Sequence, residues 1–227
     1  MGFEIQSRAV GSVRAGRTWR APYQRNRRGE PCDDEAMPEI EVVPATPDRW
    51  ADVMSVLGTD GDHGCWCQAP RGRDTGPRRS EPGFRRELLQ AQLAEEPPAG
   101  MLAYVEGQAA GWVGFGPRPG LPRLERSRTI PKVDDLPVWS ILCFNVRVGY
   151  RRRGVARALL DGVVEYARMS GAPGVEAYPV DPGDARIDVS MGYVGLTSWF
   201  ERAGFQAILE TDAHSAHRPR ILMRLMF

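Results

Sequence analysis

Lysine is almost missing from this sequence: Lys132 is the only one in 227 residues, and arginine supplies the rest of the basic charge. That usage is a codon-level association with GC-rich bacterial genomes rather than a physical constraint. Net charge is also scarce, with 30 basic against 29 acidic residues and a formal +1. A dedicated nucleic-acid binder would carry a strongly basic footprint, so that class is excluded as the leading reading. Long apolar runs are absent too, none approaching the roughly 20 residues that a membrane-spanning helix needs. The first residues lack the apolar core of a signal peptide, which points to a cytoplasmic protein with neither membrane nor nucleic acid as partner. The four cysteines, Cys32, Cys65, Cys67 and Cys143, are too few and too irregularly spaced for a disulfide framework, in keeping with a reducing compartment. What is present is an ordinary globular composition, 42% hydrophobic and 26% charged. A chain of this length buries roughly 70% of its unfolded surface, so its core needs neither metal nor disulfide.

Residues 1–36 differ in texture from the rest. Seven arginines are mixed with Gly, Ser and Pro, five acids leave the segment at +2, and no apolar periodicity appears. The segment is expected to be a disordered, solvated extension, and a folded domain is expected over residues 37–227. Whether the extension is an upstream start, an expression scar or a true arm stays open. From Met37 the pattern turns regular. A strand carrying Ile40, Val42 and Val43 precedes a helix with Thr46 as N-cap, Pro47 at its first position, and Trp50, Val53, Met54 and Leu57 on one face. A polar stretch over 59–79 leads to a second helix expected to be capped by Ser80. Two strands flank the turn Glu106-Gly107-Gln108 as a hairpin. Residues 116–137 are rich in Pro and Arg and read as a long surface loop, a type that often carries function. The longest β-type run, residues 138–148, leads into a helix ending near Ser170 with Gly171 as its stop. A strand over 175–178, a short helix near 196–203 and two final strands complete the order. That order predicts an α/β (α+β) fold, a mixed sheet with helices on its faces.

The chemistry is concentrated where that long strand runs through Arg151-Arg152-Arg153-Gly154-Val155-Ala156 into the helix. The first turn of a helix has four N–H groups without intrahelical acceptors, and the macrodipole adds about half a positive charge. Gly154 lets backbone approach a ligand closely, Ala156 leaves room, and the arginines add charge, so a pyrophosphate is the natural ligand.

At these residues the sequence resembles the GNAT superfamily of acyl-CoA-dependent N-acyltransferases. Its signature, Gln or Arg, two residues, Gly, one residue, Gly or Ala, is matched by Arg151, Gly154 and Ala156, and SWFERAGF, with Phe200, Gly204 and Phe205, resembles a second block of the family. The likeness extends over about residues 38–227. It implies a GNAT-like, mostly antiparallel sheet of six to seven strands with helices on both faces, and acetyl-CoA as co-substrate without a metal. Backbone groups of Phe144, Asn145, Val146, Arg147 and Val148 are implied partners of the pantetheine arm. Amides of Arg152, Arg153, Gly154, Val155, Ala156 and Arg157 are implied to cradle the pyrophosphate. The reaction implied is acetyl transfer to a primary amine, of a small molecule first and of a protein or peptide as the alternative. A homodimer is left open.

The resemblance breaks at two positions. Many family members carry a Glu as general base where Ser140 stands, and a Tyr as acid where Phe200 stands. Glu176 and Tyr178, which alternate onto one strand face, and Tyr193 are the replacements available. Glu176 is the expected base and Tyr193 the expected acid, against the alternatives of a structural ion pair and of packing aromatics. Losing both usual groups also keeps alive a non-catalytic CoA-binding module. His63, Cys65 and Cys67 fall within five residues, but their spacing is unlike a structural zinc site, and packing of Trp66 with buried thiols is the expectation. A reactive thiol is the alternative, and Trp66 is a candidate wall of the acceptor pocket.

Overall fold

The turn Glu106-Gly107 sets the register of half the sheet. Both residues have positive φ, 51° and 74°, the type I′ conformation whose twist matches a hairpin's strands, and Val105 pairs with Gln108 across it. Around that hairpin the computed structural model describes residues 19–20, 39–183, 192–215 and 217–227. The elements run β1 (Trp19–Arg20), β2 (Ile40–Pro44), α1 (Trp50–Leu57), α2 (Gln68–Arg71), α3 (Phe84–Gln92), β3 (Gly100–Val105), β4 (Gln108–Pro117) and α4 (Pro122–Glu125). They continue β5 (Trp139–Val146), α5 (Val155–Met169), β6 (Gly174–Ala177), α6 (Thr197–Arg202), β7 (Gln206–Ser215) and β8 (Arg218–Met226). One sheet results, in the order β1-β2-β3-β4-β5-β6-β8-β7. Every neighbouring pair is antiparallel except β5 and β6. This is the mixed, mostly antiparallel sheet that the sequence predicts, with the two-residue β1 added at one edge.

Apolar clusters lie on both faces. On one, α5 buries Val155, Leu159, Leu160, Val163 and Tyr166 against Val42, Met101, Val113 and Ile141, with Phe200 of α6 joining them. On the other, α1, α3 and α4 contribute Val53, Val56, Leu89 and Leu124 over Val43, Leu102 and Trp112. Helix and sheet approach closely at two glycines, Gly162 of α5 over β2 and Gly111 of β4 under α5: a Cβ on Gly162 would lie 2.7 Å from Val42 Cγ1, and one on Gly111 2.8 Å from Val155 Cγ1. The α5 stop is as expected. Gly171 takes φ 75°, and Ala172 N–H reaches back to the Ala167 carbonyl while Gly171 N–H reaches that of Arg168, both at 3.0 Å, closing a Schellman motif.

Several local expectations need correction. A 3₁₀ turn, Pro47–Arg49, precedes α1 and rotates its face. Val56 is therefore buried, Met54 is 42% exposed, and Thr46 makes no side-chain cap bond. The second helix starts at Phe84 behind the left-handed Gly83, φ 80°, not behind Ser80. The loop over 116–137 runs at the surface for much of its length but turns Arg118, Leu121 and Leu124 inward, and the polar stretch over 59–79 likewise buries Arg71 and Asp74. Their charges are matched inside, as Asp74 accepts from Arg85 at 3.0 Å and Arg123 at 3.3 Å, which is how polar sequence becomes interior. The expected disordered extension lies outside the described residues except for Trp19 and Arg20, whose backbones pair with Val42 and Glu41. No described helix is long and apolar enough to cross a membrane.

Candidate active site

β5 and β6 part company almost as soon as they meet. They pair in parallel only at Trp139 with Val175 and Ser140 with Glu176, whereas β5 runs on to Val146 with β4 as its partner. A bulge between Gly114 and Phe115 places two residues, Leu142 and Cys143, where the register would otherwise step once, and bulges bend and twist the strand that carries them. Past Ser140, one edge of β5 therefore has no β6 strand beside it. The turn Gly192–Val194 and helix α6 flank that opening. The turn packs against β5, and Phe144 meets Trp199 and Phe200 edge-on, each at 6.2 Å.

The free edge leads straight to the start of α5. Arg152 has φ 62° and Gly154 φ 85°, and the first N–H to return into the helix is that of Ala158, to the Gly154 carbonyl at 3.0 Å. Amides of Val155, Ala156 and Arg157 are thus the unpaired donors of a helix start. The arginines do different jobs. Arg151 Nε donates to the Val146 carbonyl at 3.1 Å, Arg147 Nη1 to the Ala109 carbonyl at 2.7 Å, and Arg153 lies over the Tyr150 ring at 5.5 Å. Arg157 is neutralised by Asp161 one turn on, at 2.8 and 2.9 Å. Val148 stands 76% exposed beside them. Phe144 is buried, so backbone is what it offers a ligand, while Asn145 and Val146 are half-buried.

Where β5 and β6 still touch, a buried polar cluster fills the sheet, with every member hydrogen-bonded and Arg224 Nε left without a partner among the described residues. Glu176 is wholly buried. Its Oε1 accepts from Arg118 Nη1 at 2.6 Å, from Ser140 Oγ at 3.1 Å and from the Tyr178 hydroxyl, and its Oε2 accepts from Arg224 Nη2 at 2.9 Å. Burial by itself would push this carboxyl up, but hydrogen bonds from Tyr178, Arg118 and Arg224 outweigh it and hold the group below its ordinary value. Burial and the adjacent Glu176 charge push the Tyr178 hydroxyl well up. Arg118 also donates to Glu125 at 3.0 Å and to the carbonyls of Leu124 and Ile130. Sequence reasoning found Glu176 and Tyr178 through strand alternation, and missed Arg118 and Arg224.

The other expected groups are scattered. Tyr193 is 45% exposed in the turn against β5, apart from the Glu176 cluster's interior. Phe200 is core, stacked edge-on to Phe205 at 5.2 Å. Trp66 is buried beside Trp50, ring centres 5.9 Å apart, and donates to the Gly61 carbonyl at 3.0 Å, so it packs rather than lining a pocket. Cys65 is exposed and Cys67 buried. Among the described residues, no group of three or more His, Cys, Asp or Glu is placed to hold a metal. A cavity of about 290 Å³ lined by Pro44, Glu95, Glu96 and Tyr166 lies toward the other end of α5 and touches none of these groups.

Comparison with known proteins assigns this fold to a family. The model of the acetyltransferase (GNAT) family matches residues 66–189, more than half of the chain. The chain belongs to that family. Among solved structures it is similar to a GCN5-related N-acetyltransferase from Kribbella flavida, with 14% identity over 83% of this chain and 98% of that one, TM-score 0.50. It is likewise similar to a serine-to-alanine mutant of an agmatine N-acetyltransferase in its apo form, with 15% identity over 83% and 99% of the two chains, TM-score 0.50. At such identity these two likenesses speak for the fold. A comparison with curated protein sequences returns no significant match.

Proposed function

We propose that the domain over residues 37–227 is a cytoplasmic N-acetyltransferase that carries an acetyl group from acetyl-CoA to a primary amine of a small molecule, by direct attack in a ternary complex. The observation that carries this reading is the continuity of the free β5 edge with the amide-rich, arginine-rich start of α5. The residues present fit the co-substrate. In the stretch from Phe144 to Val148 proposed to meet an amide-bearing arm, β5 has no strand partner on one edge as far as Val146, and the turn beyond it is already closed by its own backbone bonds; the amides after Arg152 with the Arg151 to Arg153 charges offer a cradle for a pyrophosphate. When bound, acetyl-CoA supplies an acyl group already activated as a thioester.

Proton handling in this proposal differs from a conventional base. A carboxylate enclosed by two arginines, a tyrosine and a serine is stabilised in its charged form, which makes it a weak proton acceptor. Glu176 thus serves to hold Ser140, Tyr178 and the junction of β5 and β6 in place. The amine arrives neutral, and water takes its proton. Tyr193, exposed beside β5, remains the proposed donor to the departing thiolate.

A thiol-release assay with acetyl-CoA across a panel of small amines, aminoglycosides and peptides tests the proposal, run on the parent and on Glu176→Gln. Release should require a small primary amine and rise with pH as that amine deprotonates. The folded Glu176→Gln protein should stay within about threefold of the parent, with the same pH dependence. A fall of roughly a hundredfold would instead make Glu176 the general base. Acetyl-CoA binding with no release for any amine would favour the non-catalytic module, which the absence of a Glu at Ser140 and of a Tyr at Phe200 keeps in view. Release with peptides alone would move the acceptor to protein amino groups.

A further inference from the structure

Two sulfurs meet on the sheet face that α1 and α3 cover. Cys67 Sγ and Cys143 Sγ lie 3.1 Å apart, although 76 residues separate them in the chain. Gly114 makes the room, since a Cβ there would overlap Cys67 Sγ and lie 3.3 Å from Cys143 Sγ. The chain takes an unusual path to bring Cys67 in. Trp66 and Cys67 are both left-handed, φ 46° and 57°, a conformation that non-glycine residues rarely adopt.

The surroundings distinguish the two thiols. Arg71 Nε and Trp112 Nε1 are buried without a hydrogen-bond partner among the described residues, and both side chains border the Cys67 sulfur. An ionised sulfur is the acceptor those donors lack. The Cys143 thiol donating to it, against the cost of burial and with help from Arg71 and Trp112, draws Cys67 down to about 6. The same contact, together with burial, pushes Cys143 well above an ordinary thiol. The contact favours one thiolate beside one thiol, the complement that an attacking and a resolving cysteine need. Cys143 is partly exposed and sits on β5 beyond its last β6 partner, which gives a small reagent a way in.

We propose that Cys67 and Cys143 form an oxidisable dithiol whose reagent is a small peroxide and whose product is an intramolecular disulfide. The Cys67 thiolate attacks one peroxide oxygen, an S–O bond forms as the O–O bond breaks, and the departing hydroxide takes a proton to become water. Cys143 then loses its proton and attacks the Cys67 sulfenic acid, forming S–S and releasing the second water. Two thiols give up two electrons and one peroxide accepts them. The sulfurs need close only from 3.1 Å to the roughly 2.0 Å of a disulfide. The assignment stands independently of acyl transfer.

The test uses the full chain treated with one equivalent of hydrogen peroxide, then alkylated, digested and mapped by mass spectrometry. The expected product links Cys67 to Cys143, loses two thiols per chain and reverts with dithiothreitol. Cys143→Ser should stop at a Cys67 sulfenic acid that dimedone traps. The rate at Cys67 should level off above about pH 7, while that of an ordinary exposed thiol keeps rising toward about pH 8.5. Exposed Cys65 is the internal control. Consumption of Cys65 before Cys67, a link between Cys65 and Cys67, or an unmodified Cys67 would each overturn the proposal.

Discussion

Replacing Arg118 by methionine should destabilise the fold by about 3–5 kcal/mol, the range for breaking a buried ion pair from one side. The guanidinium is 2% exposed and binds Glu176, Tyr178 and Glu125 together with the carbonyls of Leu124 and Ile130. Methionine fills much of the volume but removes the guanidinium donor from the Ile130 carbonyl and from a buried carboxylate, and leaves the Leu124 carbonyl with backbone donors only, the Ser127 N–H among them. Urea unfolding followed by fluorescence measures the loss, and a change under 1 kcal/mol would contradict the account of this cluster. The pH dependence has a definite sign. Because Glu176 is held below its ordinary value, its contribution is complete above the unfolded carboxyl value of about 4.3 and is lost as pH falls through its lower folded value. The gap between parent and variant should therefore narrow below about pH 4.

Tyr193→Phe carries the largest expected effect on turnover, a fall of about a hundredfold, within what general acid catalysis supplies. The residue is exposed in the turn that packs against β5, and Phe200 at the family's usual acid position is wholly buried and without a hydroxyl. Binding of acetyl-CoA should be unchanged. An acetyl thioester with a far more acidic leaving thiol should recover most of the lost rate, since such a thiolate departs without a proton donor. Loss of fold would not show that recovery. Turnover within threefold of the parent with acetyl-CoA would mean that solvent protonates the leaving group.

What sequence reveals here follows the range of the interactions. Helix α5 and the β3–β4 hairpin are legible because their determinants are local: apolar residues at helical spacing, Gly154 and Gly171 at the ends, and a two-residue turn. The proposed pyrophosphate cradle belongs to the same class, as one contiguous stretch would make it. The polar cluster does not. Glu176 and Tyr178 alternate visibly on one strand, but the arginines that fix the charge state of Glu176 come from 58 and 48 residues away. Arg118 sits in a loop whose composition reads as surface, because one buried guanidinium looks like any other Arg until its acceptors converge. Cys67 shows the same limit. Its sequence neighbours His63 and Cys65 raise a metal question, whereas its partner in space is Cys143 across Gly114.

The most direct test of the central claim, that the start of α5 holds the pyrophosphate of acetyl-CoA, is calorimetric titration of the parent, Gly154→Ala and Gly154→Glu. Both variants impose a side chain on a φ of 85°, so alanine reports backbone strain and glutamate adds bulk and negative charge where the anion should lie. The account predicts that glutamate weakens binding at least tenfold beyond alanine, about 1.4 kcal/mol, with the fold intact by circular dichroism. Equal affinity in all three proteins would contradict it.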